Sequence, residues 1–91
     1  MPCRLFRIEG RVQGVYYRAW TFENARELNL EGWVRNRHDG GVEAVFSGDD
    51  LAVAEMLSRC EDGPRDAVVR MVRIVSEGGA APQGFSVRRT E

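Results

Sequence analysis

The chain has 91 residues, and its 13 basic and 14 acidic side chains give a net charge of −1. This length suits one domain, expected over residues 1–91, and the balanced charge provides no general positive field for nucleic acid or an anionic membrane. Every basic residue is an arginine, which excludes Schiff-base chemistry and the phosphate loops that depend on a lysine.

The N-terminal part of the chain predicts a strand followed by a helix. Arg4 to Val12 alternates apolar and charged residues, with Phe6 and Ile8 on one face, as in a half-buried strand. Tyr17 to Leu28 has the apolar spacing of an amphipathic helix. The expected core face of this helix contains Phe22, Ala25 and Leu28.

The middle of the chain predicts a β-hairpin. Gly32 to Asn36 and Gly41 to Ser47 are rich in residues that favour strands. Between them, Asp39-Gly40-Gly41 is a strong signal for a tight turn, because these residues tolerate the left-handed backbone that such turns require. The two strands are therefore expected to pair directly with each other.

A second helix and two further strands are expected after the hairpin. Asp49 or Asp50 is suited to cap a helix that extends to about Glu61. Ala67 to Ser76 then predicts a long strand, and Phe85 to Arg89 predicts a short one. The expected core face of the second helix contains Leu51, Ala54, Met56 and Leu57.

The order of the predicted elements is βαββαβ, with one extra short strand. Helices that alternate with strands around a central hairpin favour an α+β fold of the ferredoxin-like sandwich type. In that fold, two helices cover one face of a mainly antiparallel sheet. The layout alone implies no function, because it occurs in proteins with many activities.

The segment from Gln13 to Arg18 joins the first strand to the first helix. A helix start presents unpaired N–H groups and a partial positive charge, and Gly14 allows the backbone to approach a ligand closely. Arg18 falls in the first helical turn, where its guanidinium could clamp two oxygens of an anion. The alternative is an ordinary turn with a surface arginine.

Two separate and well-spaced sequence motifs stand out. They are Gly10-Arg11-Val12-Gln13-Gly14-Val15 with Tyr17-Arg18, and Gly32-Trp33-Val34-Arg35-Asn36 with Asp39-Gly40 and Val42-Glu43. Together with Gly63-Pro64 and with Phe85 and Val87-Arg88 near the end of the chain, they resemble the acylphosphatase family, and the likeness covers nearly the whole chain. Asn29 stands where family members commonly have glycine, but asparagine tolerates the same left-handed conformation at a helix end.

The resemblance implies hydrolysis of acyl phosphates to a carboxylate and inorganic phosphate. It assigns catalysis to Arg18 and Asn36, with no metal or organic cofactor. The phosphate-binding loop that it implies consists of Gln13, Gly14, Val15, Tyr16, Tyr17 and Arg18. Related domains also occur in larger systems that use carbamoyl phosphate, but a stand-alone enzyme is the preferred interpretation for this chain.

This chemistry is consistent with the residues in the two motifs. The leaving group is a carboxylate, whose conjugate acid has a pKa of about 4–5, so it can depart without being protonated. Phosphoryl transfer then requires mainly positioning and charge stabilisation, which Arg18 and the loop can supply. Asn36 has both a donor and an acceptor, so it can orient the attacking water.

Two other functions remain as alternatives. One is an anion- or phosphate-binding module without turnover, and the other is an RNA-binding module on the same fold. The RNA-recognition interpretation is weakened because Gly41 to Phe46 lacks the aromatic run typical of such domains. We expect the substrate to be a small acyl phosphate, with no nucleic-acid partner and no membrane association.

Several other residues have both a structural and a functional interpretation. His38 and Asp39 are expected to be turn residues rather than a proton relay. Tyr16 is expected to be partly exposed and Tyr17 to lie in the core, although both could flank an acyl group. Trp33 is expected in the core, and Arg11, Arg35 and Arg37 on a solvated strand face that could also recruit anions.

The two cysteines, Cys3 and Cys60, are far apart and form no C-x-x-C motif. We expect two free, buried thiols in a reducing cytosol. The N-terminus lacks the apolar core of a signal peptide, and the most apolar stretch is interrupted by arginines. The chain is therefore expected to be a soluble, cytoplasmic monomer.

Overall fold

Strands and helices alternate along the chain in a computed structural model that describes residues 3–79 and 83–91. Each predicted element is present there, with its ends within two residues of the predicted ones. The strands are β1 (Cys3–Arg11), β2 (Glu31–Asn36), β3 (Val42–Ser47), β4 (Val68–Glu77) and β5 (Phe85–Val87), and the helices are α1 (Tyr17–Glu27) and α2 (Asp50–Asp62).

The strands form one sheet with the order β4-β1-β3-β2-β5. All neighbours pair in antiparallel fashion except β2 and β5, which are parallel. The hairpin predicted from Asp39-Gly40-Gly41 joins β2 to β3, with Asn36 opposite Val42. This arrangement confirms the α+β ferredoxin-like sandwich, and it places β5 beside β2, a position that the sequence did not indicate.

The core lies between the two helices and one face of the sheet. Phe6 and Ile8 of β1 are buried, as predicted, and they are paired with Ala44 and Val42 of β3. These side chains belong to one apolar cluster with buried residues of both helices. That cluster also contains Tyr17, Ala25, Val53, Met56 and Cys60. The opposite face of the sheet therefore remains without a helical cover.

The residues that each helix buries against the sheet differ in part from the predicted ones. The buried positions are Tyr17, Thr21 and Ala25 in α1, and Val53, Met56 and Cys60 in α2. The prediction was correct for Ala25 and Met56 but wrong for Leu51, which is 82% exposed, and for Ala54. The buried faces include Thr21, which is polar, and Cys60, which is small. A search for large apolar side chains overlooks both.

The helix ends follow the predicted signals. The Asp49 carboxylate accepts a hydrogen bond of 2.8 Å from the Leu51 N–H, which confirms it as the cap of α2. Gly63 ends α2 with a φ of +70°. Asn29 follows α1 with a φ of +57°, so it adopts the left-handed conformation for which glycine is usual.

Gly32 lies where the main chain of β2 closely approaches that of β3. It has a φ of +134°, and a Cβ atom there would stand 1.8 Å from the carbonyl oxygen of Val45. That oxygen belongs to the main chain of a central strand, so it cannot move aside as a flexible side chain would. The glycine before Trp33 is therefore required by the packing of backbone against backbone.

We expect Gly32→Ala to lower the free energy of unfolding by about 4 kcal/mol or more, because the added methyl group forces β2 away from β3. Urea denaturation measures the loss. Gly78→Ala is a suitable control, because Gly78 also has a positive φ of +96° but a Cβ atom added there would have no other atom within 4 Å. It should cost about 1–2 kcal/mol. Equal losses in the two variants would contradict the steric explanation.

Candidate active site

The loop between β1 and α1 has two residues in the left-handed conformation. Gly14 has a φ of +73°, and Tyr16, which immediately precedes α1, has a φ of +69°. Val12 and Val15 are buried and anchor the loop to the core. The helix starts without a side-chain cap, so its first N–H groups are left for another acceptor.

Gln13 attaches this loop to the hairpin. Its side-chain amide nitrogen donates to the carbonyl oxygens of Arg37, at 2.7 Å, and of Gly41, at 2.8 Å. Both carbonyls belong to the turn that follows Asn36. The two hydrogen bonds therefore fix the loop relative to the end of β2, although loop and hairpin are far apart in sequence.

A cavity of about 220 Å³ opens between the loop, the start of α1 and the end of β2. It brings together Arg18 and Asn36, the pair singled out by the sequence. The lining residues are Val12, Gly14, Tyr16, Tyr17, Arg18, Ala19 and Asn36. Of the expected loop residues, Gln13 and Val15 do not line the cavity, because Gln13 reaches the hairpin and Val15 packs into the core.

Asn36 is the last residue of β2, and its side-chain oxygen Oδ1 is buried. This oxygen has no hydrogen-bond partner among the residues that the structure describes. A buried acceptor without a partner costs about 1–3 kcal/mol of stability, so such groups are rare outside functional sites. The main-chain carbonyl of Asn36, in contrast, accepts a hydrogen bond of 3.1 Å from the Glu91 N–H.

Arg18 lies in the first turn of α1, as predicted, and contacts the C-terminal segment. Its Nη1 donates to the carbonyl oxygen of Arg88 at 3.1 Å. Within residues 3–79 and 83–91, this is the one hydrogen bond that the Arg18 side chain makes. The Arg88 N–H in turn donates to the Val34 carbonyl of β2 at 2.8 Å. The role of Arg88 could not be found from the sequence, because it acts here through its main chain.

The turn residues beside the site have structural roles. The Asp39 carboxylate forms an ion pair with Arg7 and accepts a hydrogen bond of 3.1 Å from the Gly41 N–H. The Arg7 guanidinium, and secondarily the Gly41 N–H, hold the pKa of Asp39 below its usual value. The main-chain N–H of His38 donates to the Glu91 carbonyl. Both contacts support the interpretation of His38 and Asp39 as turn residues.

The face of the sheet away from the helices differs from the prediction in two respects. Trp33 is not part of the buried core, because the alternation along β2 turns it opposite to the buried Val34. Arg35 is not simply solvated, because it is largely covered and pairs with Glu43 at 2.9 Å and with Glu91. The large apolar side chain of Trp33 suggested a core position. Because successive side chains of a strand point to opposite faces of the sheet, Trp33 lies on the face opposite Val34.

Tyr17 and Cys60 form a buried contact beneath the cavity. The Tyr17 hydroxyl donates to the Cys60 carbonyl oxygen at 2.7 Å, and burial raises the pKa of Tyr17 well above its usual value. Burial also raises the pKa of the Cys60 thiol to about 12, so the thiol is protonated at neutral pH. Both cysteines are free thiols, as predicted, but only Cys60 is buried, because Cys3 lies at the start of β1 and is partly exposed. Tyr17 lies in the core, as predicted.

Metal-ligand clusters and membrane-spanning helices are both missing from the described part of the chain. Residues 3–79 and 83–91 contain no group of three His, Cys, Asp or Glu side chains placed to hold a metal ion. In the same residues, neither α1 nor α2 has the length and apolar character that crossing a bilayer requires.

Comparisons with known proteins agree on one family. The Acylphosphatase family model matches residues 4–87. An acylphosphatase from Rhodospirillum rubrum is 50% identical over 86 residues, which cover 94% of each chain. The crystal structure of acylphosphatase from Bacillus subtilis aligns with a TM-score of 0.89 at 29% identity, over 97% of this chain and 99% of that one. Full-length HypF shares the fold with a TM-score of 0.87 at 22% identity, and this chain covers 12% of its length.

We expect Gln13→Glu to lower the free energy of unfolding by about 1–3 kcal/mol, because a carboxylate at this position faces two carbonyl oxygens without a donor between them. Urea denaturation at pH 7 measures the change. Gln83→Glu makes the same chemical change at an exposed position and should shift stability by less than about 0.5 kcal/mol. A loss no larger at Gln13 than at Gln83 would show that the two hydrogen bonds do not hold the loop.

Proposed function

The chain belongs to the acylphosphatase family, and we propose that the cavity between Arg18 and Asn36 is where it hydrolyses acyl phosphates to a carboxylate and inorganic phosphate. One observation carries this assignment: Arg18 and Asn36 line the same small cavity, and the buried Oδ1 of Asn36 has no hydrogen-bond partner among residues 3–79 and 83–91. One group can hold an anion there, and the other can accept a hydrogen bond from a water.

In this proposal, the loop and Arg18 bind the phosphoryl group. The uncapped start of α1 supplies N–H donors and a partial positive charge, and Gly14 leaves room for the phosphoryl oxygens to approach the backbone. Arg18 supplies a full charge and a planar set of donors. Because charge spreads over the peripheral oxygens in the transition state, these donors stabilise it more strongly than they stabilise the substrate.

Asn36 orients the attacking water in the same proposal. The Oδ1 atom accepts a hydrogen bond from the water, so that the water oxygen points toward the phosphorus atom. A bond forms between that oxygen and phosphorus, while the bond from phosphorus to the acyl oxygen breaks. The carboxylate leaves with the electron pair, and the water proton passes to a phosphate oxygen. No acid is needed for such a leaving group.

The remaining expectations extend this proposal. We propose that the enzyme acts as a cytoplasmic monomer, without a metal or organic cofactor and without a nucleic-acid partner. Its support is that the groups at the cavity, namely a guanidinium, an amide and main-chain N–H groups, can carry out each step of the proposed reaction. Hydrolysis of benzoyl phosphate in the presence of EDTA tests both turnover and metal independence. A folded protein without turnover would favour an anion-binding module instead.

We expect Arg18→Lys to reduce kcat/KM for benzoyl phosphate by about 100-fold or more, and to weaken inhibition by inorganic phosphate, because an ammonium group cannot reproduce the planar fork. Steady-state kinetics measures both effects. Arg65→Lys, at an exposed position after α2, is the matched control and should leave both values unchanged. Parent-like kinetics in Arg18→Lys would remove Arg18 from the mechanism.

We expect Asn36→Ala to reduce kcat by about 100-fold while the inhibition constant for inorganic phosphate changes less than about twofold. The reason is that Asn36 aims the water and does not hold the phosphoryl group. Because the substitution also removes a buried acceptor that has no partner among the described residues, urea denaturation should show no loss of stability. Weaker phosphate inhibition with unchanged kcat would instead identify Asn36 as a binding residue.

A further inference from the structure

Trp33 lies on the face of the sheet opposite the helices, outside the cavity, and two arginines stack on it. The guanidinium carbon of Arg35 is 4.6 Å from the centroid of the Trp33 ring, and that of Arg88 is 4.7 Å from it. Tryptophan is the best aromatic partner for such cation–π contacts, and arginine is the commoner cation. The stack joins β2 to the segment that follows β5.

Arg88 is fixed at three points. Its side chain stacks on Trp33, its N–H donates to the Val34 carbonyl at 2.8 Å, and its own carbonyl accepts the hydrogen bond of 3.1 Å from Arg18. Arg35 stabilises the same segment further along through its ion pair with Glu91. The position of the Arg88 carbonyl, and hence the acceptor offered to Arg18, therefore depends on the stack.

Such an acceptor matters for Arg18 because its long side chain lines the cavity and is only partly buried. Ordering an arginine side chain costs entropy at the moment when it binds an anion, unless another contact has already limited its conformations. The Arg88 carbonyl uses one N–H of the guanidinium, and a guanidinium has five. The remaining donors can then meet the phosphoryl group with a smaller loss of freedom.

We propose that Trp33 is a positioning residue for phosphoryl binding: its ring holds Arg88, and the Arg88 carbonyl orients Arg18. The inference rests on the proposed role of Arg18 in binding the phosphoryl group. Trp33 itself does not touch the substrate. Its effect on the enzyme is therefore transmitted from the open face of the sheet to the cavity through one main-chain carbonyl.

Trp33→Leu and Arg88→Ala test the proposal in the full-length protein, with benzoyl phosphate as substrate and inorganic phosphate as inhibitor. We expect each variant to raise both KM and the phosphate inhibition constant about 10-fold, while kcat falls about threefold or less. Trp33→Phe keeps an aromatic face and should recover most of the phosphate affinity. Arg89→Ala is the matched control, because Arg89 makes no ion pair or ring contact with residues 3–79 or 83–91.

The double variant Trp33→Leu, Arg88→Ala separates positioning from a general loss of stability. Because the two residues act through one contact, its phosphate inhibition constant should equal that of either single variant. Independent, multiplying effects would overturn the proposal, as would unchanged phosphate inhibition in a folded Trp33→Leu or Arg88→Ala variant. Failure of the proposed function is distinguishable, because it would show as parent-like phosphate inhibition in Arg18→Lys or as no hydrolysis by the parent protein.

Discussion

The geometry of the site depends on the hydrogen bonds that hold β2 along both of its edges. One edge pairs with β3 up to Asn36, and the other pairs with β5 and then with the C-terminal segment, through Arg88 and Glu91. A strand held in this way cannot shift or twist independently. Asn36, at its end, therefore presents its side chain from a fixed backbone, which orientation of a water requires.

The loop with Arg18 reaches this fixed strand by two routes. Gln13 binds the turn after Asn36 through two carbonyl oxygens, and Arg18 binds the C-terminal segment through a third. In all three cases a side chain donates to main-chain oxygens. Such contacts constrain position closely without adding a titratable group to the cavity. Among the described residues that line the cavity, positive charge comes from Arg18 and from the N–H groups at the start of α1, which suits a substrate that supplies its own good leaving group.

Local features were predictable from the sequence because their causes are local. A cap such as Asp49, a turn such as Asp39-Gly40-Gly41 and a left-handed residue such as Asn29 each depend on the conformational preference of a few neighbouring residues. The proposed catalytic pair, Arg18 and Asn36, comes from family resemblance in two motifs. The sequence interpretation placed Trp33 and Leu51 in the core because both side chains are large and apolar. Their positions in the alternation of the strand and in the turns of the helix instead put them outside the core. The contacts of Arg88 are long-range and made partly by its main chain, so no local pattern reveals them.

The buried side-chain oxygen of Asn36 lowers the stability of the fold. A buried oxygen without a partner destabilises the folded chain, and an apolar residue at this position would avoid that penalty. The penalty is tolerable because the surrounding groups hold the strand independently of the Asn36 side chain, through backbone pairing and through the contacts of Gln13 and the C-terminal segment. The rigidity that leaves Oδ1 without a partner among the described residues would also, in the proposed reaction, keep this atom oriented for a water. The contacts around the cavity therefore stabilise the fold, and the Asn36 oxygen stays at the position that the proposed reaction requires.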